Sequence, residues 1–84
     1  MLDFALFVAT HELFHTLGAT DKYDAAGQPL FPEGYADPYL EPRLPQYKAE
    51  IMAGRVPLTD GRAEIPMSLA DTVIGYQTAA EIGW

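Results

Sequence analysis

His11-Glu12-Leu13-Phe14-His15, followed by Gly18, Asp21 and Asp24, is the stretch of this chain whose residue types and spacing could do chemistry. The two histidines are the only two in 84 residues. On a helix, four steps of about 100° return to within about 40° of the starting direction, so His11 and His15 project side by side. Two imidazoles so placed are what a zinc ion asks of a helix. Glu12 points to the flank, where its carboxylate can reach a metal-bound water without ligating the metal. Gly18 lets the chain leave the helix sharply, and Asp21, three residues on, can swing back to the same ion. Two neutral imidazoles and one carboxylate, with a fourth position open, make a catalytic rather than a structural zinc arrangement. The bland alternative treats His11 and His15 as core histidines, but it buries Glu12 unpaired on a helix with almost no other charge, which is costly. Fixing Gly18 and Asp21 beyond the bare HExxH lowers the rate of chance matches roughly a hundredfold or more.

The elements that must position these groups follow from composition and punctuation. Residues 2–17 read as helix: they contain neither Gly nor Pro, strong helix formers dominate, and Gly18 stands where a C-terminal cap belongs. From Leu2 to Ala9 the helix is apolar around nearly its whole circumference, a pattern that expects burial on all sides. Residues 18–48 carry the third ligand and then a loop in which Pro29, Pro32, Pro38, Pro42 and Pro45 interleave with Tyr23, Phe31, Tyr35, Tyr39 and Tyr47. Proline at this density prevents helix and central strand, and the aromatics predict a loop that is packed down. Residues 49–67 alternate short apolar pieces with turns: a tight turn at Met52-Ala53-Gly54, and two very short strands flanking Asp60-Gly61. Residues 68–84 read as a helical segment opened by Ser68 with Asp71 three residues on, broken at Gly75 and running to Ile82. The fold class expected is mainly α with irregular loops.

Composition narrows the partners. One domain at most fits in 84 residues, and without cysteine there is no disulfide and no thiolate-held zinc. Twelve acids against five basic residues give a formal charge of −7, which argues against a nucleic-acid partner, since phosphate binding needs a basic patch. The longest apolar run, Phe4 to Ala9, falls far short of the roughly 20 residues that span a bilayer. It also fails as a signal peptide, because Asp3 stands where positive charge belongs.

The sequence His11-Glu12-Leu13-Phe14-His15-Thr16-Leu17-Gly18-Ala19-Thr20-Asp21 resembles the extended signature of the metzincin clan of zinc endopeptidases, HExxHxxGxxH or HExxHxxGxxD. The aspartate form is similar to that of the snapalysin-type bacterial members. The resemblance implies zinc held by His11, His15 and Asp21, Glu12 as general base and then acid in peptide hydrolysis, and a peptide or protein substrate. It also implies a methionine turn beneath the metal, for which Met52 is the candidate. Asp24 falls where some members carry a further acid, and is expected to support a ligand from behind or to shape a turn. Where some members place an oxyanion-assisting tyrosine, two residues after that methionine, this chain has Gly54; Tyr23, Tyr47 and Tyr76 are the remaining candidates. Residues 28–47 are expected to shape substrate choice.

The resemblance covers the lower half of a metzincin domain and lacks the upper β-sheet against which a substrate strand would lie. The all-round apolar helix is then explained by a missing N-terminal subdomain, a partner or self-association that covers it, and a fragment of a longer protein is the simplest account. The clan is mostly secreted or periplasmic, which sets that expectation for location. Two other readings stand beside the peptidase. One is a zinc-binding but catalytically incomplete fragment or partner-binding module. The other is a glutamate-type zincin whose third ligand is a later acid such as Glu81.

Overall fold

The computed structural model describes residues 2–84. Helix α1, Leu2–Thr16, is the long element. A 32-residue irregular stretch follows, then β1 (Ala49–Glu50), β2 (Val56–Thr59), β3 (Arg62–Glu64), a 3-10 turn (Leu69–Asp71), β4 (Thr72–Val73) and α2 (Tyr76–Glu81). The strands make two separate pairs. β1 and β4 run parallel, with Ala49 opposite Thr72 and Glu50 opposite Val73, and β2 and β3 form an antiparallel hairpin. The expected mainly α class is therefore corrected: one long and one short helix frame two small sheets.

The correction has a local cause. Ser68 makes no side-chain cap bond, and only three residues after it turn as a 3-10 helix. Thr72-Val73-Ile74 is a β-branched run, stiff at χ1 and better suited to an extended chain. It pairs with β1, and Ile51 N–H donates to the Val73 carbonyl at 2.9 Å. The expected 68–82 helix thus shrinks to α2, whose start is Gly75. The hairpin flanking Asp60-Gly61 forms where turn chemistry placed it.

The end of α1 is set by Gly18, with φ of +108°. Gly18 N–H donates to the His15 carbonyl at 3.2 Å and Ala19 N–H to the Phe14 carbonyl at 2.9 Å. This pair of bonds is a Schellman cap, accompanied by the expected apolar contact, since Ala19 and Phe14 share the core. A β-carbon on Gly18 would stand 2.9 Å from the Glu81 carbonyl, so the same residue also allows α2 to approach.

The core joins Phe7 and Phe14, seven residues apart on one stripe of α1, to Ala19, Ile51 and Met52, with Leu69, Ile74 and Ile82 packed around them. Burial of each phenylalanine is worth about 1.5–3 kcal/mol. The rest of α1 does not find the all-round burial its composition calls for: Phe4, Leu6, Val8 and Leu13, with Leu17 just beyond its end, are each at least two-fifths exposed. Among the described residues no helix is long and apolar enough to cross a membrane.

The loop is tied down by amide chemistry more than by its aromatics. Gln46 is buried; its side chain accepts from Asp37 N–H at 2.8 Å and donates to the Asp37 and Arg43 carbonyls. Tyr39 and Tyr47 stand largely in solvent. Phe31 meets Tyr35 edge-on, with the Arg43 guanidinium 4.2 Å above its ring.

Candidate metal centre

One turn of helix brings His11 and His15 side by side, with ring centroids 4.8 Å apart. Each ring is held from behind. His11 Nδ1 lies 2.8 Å from the Ile51 carbonyl, and His15 Nδ1 lies 3.0 Å from the Ala19 carbonyl. A carbonyl only accepts, so in each ring Nδ1 carries a proton and Nε2 is the atom turned outward. Both acceptors trace to punctuation in the sequence: Ala19 to the glycine cap of α1, and Ile51 to the tight turn that Gly54 closes at φ +77°.

Asp21 closes the site. Its Oδ1 lies 2.9 Å from His15 Nε2 and 3.4 Å from His11 Nε2. Lone pairs facing one another at such distances repel unless a cation stands among them, either a proton on a ring or a metal ion. Donor atoms on a tetrahedral zinc stand about 3.3 Å apart, as bonds of about 2.0–2.1 Å require, and the Asp21 separations straddle that value. Glu12 Oε1 is 4.0 Å from each Nε2 and forms with the two rings a group whose ligand atoms all lie within 4.8 Å. The donor set suits a zinc-type ion: two neutral imidazoles and a carboxylate, each imidazole buttressed by a carbonyl. Asp21 stands nearer to both rings than Glu12 does, which leaves Glu12 at the flank.

Two anchors that the sequence does not signal, the Glu50 carboxylate and the Lys22–Glu81 pair, hold this geometry. Glu50 is completely buried, yet its carboxylate accepts from the N–H groups of Met52 (2.6 Å), Ala53 (3.2 Å) and Gly75 (2.9 Å). It therefore shapes the methionine turn and ties it to the start of α2. Lys22 is buried too, and its ammonium donates to the Thr20 carbonyl, the Thr20 hydroxyl and Glu81 Oε1 at 2.8, 2.8 and 2.6 Å. Glu81 also accepts from Thr20 N–H at 2.9 Å. Thr20 and Lys22 flank Asp21, so Glu81 clamps the ligand loop on both sides. Lys22 N–H adds a bond to the Met52 carbonyl at 3.0 Å. The hydrogen bond from Lys22, with that from Thr20, pulls the Glu81 carboxyl down to about 2. Only an acid shortly before a glycine turn hinted at Glu50; nothing local hinted at the Lys22–Glu81 pair.

The remaining expected residues fall as follows. Met52 is fully buried and its turn supports the site through backbone carbonyls. Asp24 does not approach the rings: its Oδ1 accepts from Ala26 and Gln28 N–H at 2.9 and 3.0 Å, a turn-shaping role. Glu81, the alternative third ligand, directs its carboxylate to Thr20, Lys22 and Gln77. Of the three tyrosines, Tyr23 comes to the site: the Asp21 charge beside it, aided by burial, pushes its phenol up. Tyr47 lies against a separate cleft with Asp37 and Leu40, and Tyr76 is exposed on α2. The wall beside His11 is built from α1, Tyr23, Gly27 and residues 53–55, with Ile65, and not from the expected 28–47 loop. No family model matches the chain, and searches of curated proteins and of solved structures return no match.

Proposed function

We propose that this chain carries the metal site of a zinc-dependent peptidase of metzincin type, with His11, His15 and Asp21 as ligands and Glu12 as the proton carrier. One observation supports it above the others: both imidazoles are locked with Nδ1–H on carbonyls and Nε2 facing the Asp21 carboxylate, a convergence of lone pairs that calls for a cation. Zinc, when bound, would supply a Lewis acid that polarises a peptide carbonyl and acidifies water. Glu12 is largely exposed at the mouth of the site and is free to take a proton from an attacking water and return it to the departing amine. Tyr23, kept protonated beside Asp21, offers a phenol donor at the same mouth.

Glu12→Gln tests the role. The variant should bind zinc as the wild type does and lose peptide hydrolysis by at least about a hundredfold, as expected when a general base is removed. Undiminished cleavage, or loss of zinc without unfolding, removes Glu12 from that role. A second reading, a zinc module that does not turn peptides over, is favoured by the sheets: among the described residues each has two strands, and the longest strand is four residues. A substrate strand would find little edge to lie against.

A further inference from the structure

The cleft beside His11 has a volume of about 250 Å³, just below the roughly 300–1,000 Å³ of small-molecule sites. It has room for one residue's side chain and end group rather than for a long segment. Phe7, Ala53 and Ile65 give it apolar walls, His11 and Tyr23 bring it to the metal centre, and Arg55 adds a cation. Of the three arginines, Arg62 pairs with Glu64 and Arg43 stacks on Phe31, whereas Arg55 has no hydrogen bond or ion pair among the described residues. In a chain with 12 acids and five basic residues, an arginine left without an acid is set against the general field of the molecule. Its position is also built. The guanidinium lies over Gly27, where a β-carbon would stand 2.7 Å from Nη1, and the φ of +82° there suits glycine. A planar guanidinium with open donors at the edge of an apolar cleft is suited to a carboxylate.

We infer, resting on the peptidase reading for the ligand's being a peptide, that this cleft selects a residue that pairs an apolar body with a carboxylate, and that Arg55 is the group that holds the carboxylate. The carboxylate could be a chain terminus, with the apolar walls taking the last side chain, or the acid of a Glu or Asp side chain lying along them. The recognising chemistry is the same.

Binding to the metal-free protein tests this without zinc or turnover. Chelator-treated protein is titrated with N-acetyl-leucine, with its amide, and with the α-amide of N-acetylglutamate, and shifts are followed by NMR. At least one acid should bind about tenfold tighter than N-acetyl-leucinamide, as expected for a charge-assisted pair in a partly buried site, with shifts at Arg55, Tyr23 and Ile65. Preference for N-acetyl-leucine identifies the terminus; preference for the glutamate amide identifies the side chain. Arg55→Gln should bring the acids and the amide to equal affinity. Equal affinity of all three for the wild type overturns the inference even if the variant does not fold, and so does an acid preference that survives in Arg55→Gln. Failure of the peptidase reading registers elsewhere, as absent zinc or as cleavage that ignores Glu12.

Discussion

Glu81→Gln keeps the shape of the side chain that clamps the Asp21 loop and removes its charge. In the native protein Glu81 is 20% exposed and Lys22 only 5%, with 2.6 Å between Oε1 and Nζ. The Lys22 hydrogen bond, then that from Thr20, lowers the Glu81 carboxyl from 4.5 to about 2. That interval corresponds to about 3 kcal/mol of folding stability, and solvent screening at a partly exposed group trims it toward about 2. Because the folded-state pKa lies below the unfolded one, this stability is fully present above pH 4.5 and is lost as pH falls through about 2. Leaving the buried Lys22 ammonium unpaired acts in the same direction. Urea unfolding of metal-free wild type and Glu81→Gln should therefore differ by about 2–3 kcal/mol at pH 7, and the difference should close between about pH 4.5 and 2. Lys22→Met combined with Glu81→Gln should recover part of the loss, since replacing both charges leaves no buried ion unpaired. A difference under about 0.5 kcal/mol at pH 7, or one that ignores pH, would refute the clamp.

Gly18→Ala forces a β-carbon against the Glu81 carbonyl at a φ of +108°. It should cost about 1–3 kcal/mol in thermal or urea unfolding and weaken zinc binding through the Ala19 carbonyl that orients His15; full zinc affinity would detach the cap from the site. Asp24→Ala removes the two turn bonds to Ala26 and Gln28 and should cost about 1 kcal/mol, with zinc stoichiometry unchanged. Loss of the metal in that variant, without unfolding, would show that Asp24 supports the metal ligands rather than only the turn.

The proximity of His11, His15 and Asp21 was legible because its logic is local. A four-residue spacing on a helix, a glycine cap and an acid three residues later fix His11, His15 and Asp21 within one short stretch. The hairpin flanking Asp60-Gly61 was legible for the same reason. The 68–75 segment departs from the expected helix: Ser68 and Asp71 imitate a helix start, but distant partners decide the outcome, the edge of β1 and the Glu50 carboxylate, which takes Gly75 N–H. Glu50 and Lys22 look like ordinary charged residues in sequence, and Glu81 gives no sign there of pairing with Lys22. Their placement follows from contacts up to 61 residues apart, which periodicity and turn chemistry do not encode. The aromatics of the loop suggested packing, but Gln46, a residue type usually exposed, provides much of its internal bonding.

The central claim is that His11, His15 and Asp21 together hold one zinc ion. Elemental analysis of purified wild type beside His15→Ala and Asp21→Ala, each verified as folded, tests it most directly. One zinc per chain in the wild type, lost in His15→Ala and weakened in Asp21→Ala, is the predicted result. Wild type without zinc after refolding in its presence, or Asp21→Ala retaining zinc with unchanged affinity, would contradict it.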